Sequence, residues 1–186
     1  MELLIAGLLL WSIVHLIPSM GISFKAGVVD RLGYKGYSAI FALLIVASVV
    51  LMVFGWRAAQ PVYLYTLPGM TKSVALALMV IAFILMGAAN YPTRIKRVIR
   101  HPQLTGVTVW SLAHLLLNGD SRSVILFGGI GCWAVLAMVM INRRDGEWLK
   151  PEASSWAKEV VGILISLIVM AAVVWLHPYI AGVPVK

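Results

Sequence analysis

Residues 11–15 read Trp-Ser-Ile-Val-His and residues 110–114 read Trp-Ser-Leu-Ala-His. On a helix, positions three and four apart are neighbours, so each stretch sets a serine and a tryptophan beside one imidazole. Both stretches lie in long apolar runs, where an imidazole must pair with a neighbour, line a cavity or bind a metal. The chain holds four histidines in all. His101 precedes Pro102, and proline suits the first turn of a helix, so this histidine reads either as a flanking residue or as a ligand. His177, beside Pro178 near the end of the last apolar run, reads as structural.

The polar face extends beyond the two motifs. Trp11, Ser12, His15 and Ser19 share one side of a helix, and so do Gln103, Val107, Trp110, Ser111, His114 and Asn118. Lipid tolerates such faces poorly, so both are expected to point into a bundle. Two inward histidines without acidic partners suit the axial positions of a haem iron, with tryptophans walling the macrocycle. A plainer reading is that each imidazole hydrogen-bonds a neighbouring helix. Spacing alone leaves both open, because no motif marks a b-type haem site as C-x-x-C-H marks a c-type one. Other chemistries lack their signatures: the sequence has no Walker loop, no G-x-S-x-G elbow, and no H-E-x-x-H or C-x-x-C pair.

The elements that must position these residues follow from composition. Of 186 residues, 61% are hydrophobic and 12% charged, with mean hydropathy +0.95; soluble domains carry about 25% charged residues. Charge-free runs at 3–24, 36–56, 73–93, 101–119, 123–142 and 160–185 each approach the ~20 residues that cross a bilayer. The expected fold is therefore all-α, one polytopic bundle of six transmembrane helices forming a single domain over 1–186. The fourth run is the weak one, beginning only after Pro102 and ending at Asn118. Long unbroken runs exclude a β-barrel, which would alternate in short segments. Glu2 stands where a signal peptide would be basic, so the first run is expected to remain as a helix. No Asp, Glu, Lys or Arg lies inside a run, which argues against ion-coupled transport.

Basic residues are retained on the cytoplasmic side. With the N-terminus outside, eleven of the fifteen Lys and Arg fall inside, from Lys25 to Lys158, and four fall outside: Arg57, Lys72, Arg122 and Lys186. The net charge of +8 thus reads as topology and attraction to anionic lipid, not nucleic-acid binding. Residues 22–33 place Phe24, Val28, Val29 and Leu32 at helical spacing among cations, as an interfacial helix would. The lone Cys132 is expected to be inert, and Gly128, Gly129 and Gly131 read as helix packing or as room for a flat ligand.

Depth tests the haem reading. His15 lies about six residues from the inner end of its helix and His114 about thirteen from that of its own, a difference of roughly 10 Å in depth. The helices run in opposite directions and side chains lean toward their own N-termini, so the two imidazoles lean toward each other. A His15–His101 pair is the competing arrangement.

The stretch RHPQLTGVTVWSLAHLLLNGD, Arg100 to Asp120, resembles the signature of the NnrU family of bacterial membrane proteins, as do LFGG at 126–129 and RRDG at 143–146. The likeness covers nearly the whole chain. It implies a multi-pass protein of the bacterial inner membrane linked to denitrification and nitric oxide metabolism. The family is also similar to the haem-dependent zeta-carotene isomerase, a membrane enzyme that converts a cis double bond of a carotenoid to trans. That resemblance implies haem b, with His114 and His15 matching the isomerase's proposed iron ligands and His101 matching the histidine of its HPQ segment. The isomerase carries a cysteine, proposed as an alternative iron ligand, where this chain has Ser111. A hydroxyl replaces a thiolate poorly on iron, so isomerisation of a carotenoid or other polyene by that route is not expected.

The resulting expectation is a haem b protein with His15 and His114 as ligands and His101 as second choice. Trp11, Ser12, Trp110 and Ser111 would stand near the ring, and Arg97, Arg100 or Arg143 would take the propionates. A sensor, redox or assembly role with nitric oxide as the partner molecule, a polyene isomerase, and a structural membrane protein without cofactor are the three function classes; no catalytic residue is assigned.

Overall fold

The computed structural model describes residues 1–182. Among them are six α-helices: α1 (Glu2–Met20), α2 (Ile22–Ala58), α3 (Thr71–Ala88), α4 (Pro102–Leu117), α5 (Ser121–Asp145) and α6 (Trp156–Ala181), with a 3-10 turn at Arg94–Arg97. The expected all-α bundle is what forms. Five helices are long and apolar enough to cross a membrane, so the chain is a multi-pass membrane protein. The exception is α4, whose 16 residues span about 24 Å at 1.5 Å per residue. Pro102 starts this helix, as expected for a residue that has no amide hydrogen to lose.

The interfacial segment is continuous with the second span. Within α2 the backbone breaks at Gly33, where φ is +70° and ψ is 167°, a conformation that glycine reaches at little cost. Ahead of that break, Phe24 and Leu32 are 63% and 54% exposed, so their apolar side is left for the bilayer rather than the bundle. The end of the last predicted run, residues 183–185, lies outside the described residues.

The principal packing pairs are α1 with α2, α1 with α5, α4 with α5, α3 with α4, and α3 with α6. The helices thus follow one another in the order α2, α1, α5, α4, α3, α6. Small residues set the close crossings. A Cβ at Gly7 would lie 2.7 Å from the Met52 nitrogen and the Ser48 oxygen, and one at Gly106 would lie 2.9 Å from the Ala82 oxygen. Backbones approach this closely only where no side chain intervenes. Three hydroxyls in the spans return to their own helices: Ser12 donates to Leu8 O at 2.8 Å, Thr108 to Leu104 O at 2.9 Å, and Ser166 to Gly162 O at 2.9 Å. Lipid offers no other acceptor, so this local bond removes the desolvation cost.

The two ends of the bundle are tied differently. At one end the 59–70 connection straps the α4–α5 turn, with Leu64 N and Tyr65 N donating to Gly119 O and Ser121 N to Val62 O. Asp120 caps α5 there, accepting from the amides of Arg122 (3.0 Å) and Ser123 (3.2 Å). At the other, basic end, Arg100 donates to Gly146 O at 2.8 Å and Arg144 to Pro18 O at 3.0 Å. These contacts make α1 run parallel to α5 and α4 antiparallel to it.

Candidate functional site around helix α5

The two motif histidines have the same local bond. His15 Nδ1 lies 2.9 Å from Trp11 O, and His114 Nδ1 lies 3.0 Å from Trp110 O. A carbonyl only accepts, so Nδ1–H donates and the neutral ring carries its lone pair on Nε2. Nε2 of each histidine has no hydrogen-bond partner among the described residues. A fixed Nδ1–H with an open Nε2 is the tautomer that a liganding histidine presents to a metal. The motif tryptophan supplies this lock through its backbone, while its ring lies against the imidazole: the centroids are 4.0 Å apart for Trp11 and His15 and 4.4 Å for Trp110 and His114.

Helix α5 supplies one aromatic wall to each. Trp133 meets His15 edge-on at 5.2 Å and Trp11 at 5.9 Å. Phe127 stacks on His114 at 4.3 Å and meets Trp110 at 5.1 Å. Phe127 and Trp133 are six residues apart, about 9 Å along the axis at 1.5 Å per residue, which agrees with the depth difference expected from the sequence. At 3.6 residues per turn they also lie about 120° apart around α5. The histidines therefore approach α5 from two sides, and no ring contact joins His15 to His114 among the described residues.

Several buried polar atoms around these rings lack partners. Trp11 Nε1, Trp133 Nε1, Ser111 Oγ and Tyr37 Oη are all enclosed and unbonded. Such groups normally find a partner, and each unpaired one costs about 1–3 kcal/mol. Ser111 is 1% exposed and sits against α5, where a Cβ on Gly131 would lie 3.2 Å from its own Cβ. Leu8 fills the space over Gly129, whereas Gly128 faces open space. Helix packing thus accounts for two of the three glycines.

The remaining expected residues are held elsewhere. His101 Nε2 is 2.9 Å from Asn142 Oδ1, which occupies the nitrogen a ligand would use and ties the start of α4 to the end of α5. Arg100 is committed to Gly146 O, while Arg97 and Arg143 are exposed. Arg143 lies ten residues beyond Trp133, about 15 Å along α5, so the arginines stand apart from the histidines. Gln103 is exposed, and Asn118 donates to His114 O at 2.9 Å. Cys132 is exposed on α5.

Sequence reasoning missed the walls. Phe127, Trp133 and Phe41, whose ring is 5.7 Å from His15, carry no motif of their own. Tyr37 packs one turn from Phe41, at 6.1 Å, with Lys25 Nζ 5.5 Å from its ring. Their four-residue spacing on α2 was a usable signal.

Residues 3–185 match the family model described as NnrU protein. The chain belongs to the NnrU family. No curated protein and no solved structure matches it.

Proposed function

We propose that the chain is a b-type haem protein of the bacterial inner membrane, with His15 and His114 as the iron ligands. The observation that carries this reading is the duplicated tautomer lock, two imidazoles in membrane spans whose Nδ1–H is committed and whose Nε2 is open. The unbonded indole N–H groups of Trp11 and Trp133 and the Ser111 hydroxyl support it, since a polar-edged group between the helices would give them partners. No cluster of three or more His, Cys, Asp or Glu occurs among the described residues. A haem needs no such cluster, because the porphyrin supplies four ligands and the protein only the axial ones.

Tyr37 and Lys25 on α2 would serve a propionate beside His15, because the unbonded Tyr37 hydroxyl belongs to a ring that packs on Phe41, the neighbour of His15. Held by His15 and His114, haem would supply one-electron redox chemistry, which favours electron transfer or ligand-displacement sensing over direct gas binding. That chemistry fits a sensor, redox or assembly role in nitric oxide metabolism, the setting that the family resemblance implies. The isomerase reading is weaker, because Ser111 turns its side chain to Gly131 in the α4–α5 contact and a hydroxyl is a poor iron ligand.

The test is an absorption spectrum of the purified protein, oxidised and reduced. Wild type should show a Soret band that shifts on reduction and changes with nitric oxide. His15→Ala and His114→Ala should each lose it, whereas His101→Ala should keep it. Loss in His101→Ala with retention in His15→Ala would overturn the ligand assignment. A wild-type protein without a Soret band after haem supply would leave the cofactor-free reading, and conversion of a polyene only by reduced protein would restore the isomerase.

A further inference from the structure

A second site lies between α3 and α6, remote from the histidines. The two helices leave a cleft of about 750 Å³ near the basic end, within the size range of small-molecule pockets. Its walls are Phe83 and Met86 on α3 and Val161, Ile165 and Val169 on α6. Val161 and Ile165 are 54% and 56% exposed, so the cleft opens along its length to the surface that faces the hydrocarbon.

Its free polar groups gather at the basic end, since the Ser166 hydroxyl farther along is spent on Gly162 O. Tyr91 lies across Gly162, where any Cβ would strike its ring and hydroxyl, and that buried hydroxyl makes no well-formed hydrogen bond, with Thr93 its nearest polar neighbour. Asn90 Nδ2 donates one hydrogen to Met86 O at 3.1 Å, leaving its side-chain oxygen as an acceptor. Lys158, at the mouth, has no ion pair among the described residues. The neighbouring carboxylate is already used: Glu159, 5% exposed, accepts from Thr93 Oγ1 at 2.5 Å and from Arg94 N at 2.8 Å. Arg94 is packed over the Trp156 ring at 4.2 Å. Lys96 donates to Ala89 O at 2.9 Å and to Tyr91 O at 3.0 Å, so the mouth presents a free ammonium at Lys158, backed by the positive charge of Lys96, where an apolar slot begins.

We infer that this cleft holds one anionic glycerophospholipid, with an acyl chain along the α3–α6 slot and its phosphate at Lys158. An ester carbonyl of the glycerol accepts from the Tyr91 hydroxyl. Charge complementarity at the mouth selects this occupant over a neutral lipid, and the length of apolar wall selects it over free phosphate.

Native mass spectrometry of the full-length protein, released from vesicles of equimolar dioleoyl phosphatidylglycerol and phosphatidylcholine, tests the assignment. Wild type should retain one phosphatidylglycerol in preference to phosphatidylcholine by about fivefold, the effect of one basic side chain beside an anionic headgroup. Lys158→Gln, an exposed change that leaves the fold intact, should lower that preference severalfold. Ile165→Trp should fill the slot and abolish both adducts, and Tyr91→Phe should weaken both without altering their ratio. Equal retention of the two lipids by wild type, an unchanged ratio in Lys158→Gln, or displacement of the lipid by added ubiquinone would overturn the inference.

Discussion

The α1–α5 and α4–α5 contacts carry the same five-residue pattern and treat it differently. Around His15, Ser12 bonds its own helix at Leu8 O and the Trp11 indole is left unpaired. Around His114, the serine is the unpaired group and lies buried against Gly131. What is common to both is the Nδ1 bond to the tryptophan carbonyl. The comparison separates the part of the motif that fixes a tautomer, which is backbone geometry four residues apart, from the part that packs. A tryptophan is not needed for its carbonyl, so its ring must be retained for contact.

The largest expected effects break the equivalence of the histidines. If both ligate one iron, His15→Ala and His114→Ala are each sufficient to lose the six-coordinate spectrum. If one site acts alone, the other alanine variant retains it. Exogenous imidazole added to either variant should restore the Soret band, because it replaces Nε2 without altering the helices. Failure to restore it in both would mean that the histidines hold the bundle rather than an iron.

The next effect separates the packed side of α5 from its open side. Gly131→Ala would place a methyl 3.2 Å from Ser111 Cβ, tighter than ordinary contact, and is expected to cost about 1–3 kcal/mol through overpacking. Gly128→Ala meets nothing within 4 Å and gains helix propensity, up to about 1 kcal/mol. Thermal unfolding in detergent should lower the midpoint for the first and hold or raise it for the second. Equal shifts would show that the α4–α5 contact is looser than its glycine implies.

Much of this architecture was legible in the sequence because lipid permits few alternatives. Spans, their count and the shortness of α4 followed from charge-free runs and Pro102, since each backbone must satisfy itself within one helix. The depth offset of the histidines followed from rise per residue alone. Which helix stands beside each motif did not follow, because Phe127 and Trp133 are apolar residues in an apolar run and nothing in their spacing marks a neighbour. His101 illustrates the same limit: its type and place left a flanking residue and a ligand both open, and its bond to Asn142, 41 residues away, could be read from neither. The cleft between α3 and α6 was invisible for a related reason, since Tyr91 and Gly162 become one feature only when the helices pack.

A smaller effect lies at the strap opposite the basic end, which holds the α4–α5 turn and so the His114 side of the comparison. Burial alone would raise the Asp120 carboxyl, but bonds from the Ser123 hydroxyl and amide, the Arg122 amide and the Arg122 charge more than offset it and leave the pKa below the ordinary value. A depressed carboxylate contributes stability that is present above the unfolded pKa and lost as pH falls through the folded one. Asp120→Ala should therefore cost about 1 kcal/mol at neutral pH, the usual worth of a helix N-cap. The gap from wild type should close below pH 4. A gap that persists unchanged to pH 3 would show that the charge plays no part.

The smallest effects probe the two serines directly. Ser12→Ala removes a hydroxyl whose partner is its own helix, so the Leu8 carbonyl returns to its ordinary intrahelical bond and stability should move by a few tenths of a kcal/mol at most. Ser111→Ala removes a buried hydroxyl with no partner, which relieves a desolvation cost and should stabilise the cofactor-free protein by up to about 1 kcal/mol. The signs diverge when haem is present. If the Ser111 hydroxyl finds its partner on a bound group, the same substitution must weaken haem retention while stabilising the empty bundle. Measuring the unfolding midpoint with and without haem for both variants distinguishes these cases. Identical behaviour of Ser12→Ala and Ser111→Ala in both states would mean that the unpaired hydroxyl belongs to packing, and that the two contacts differ only in how closely α5 approaches.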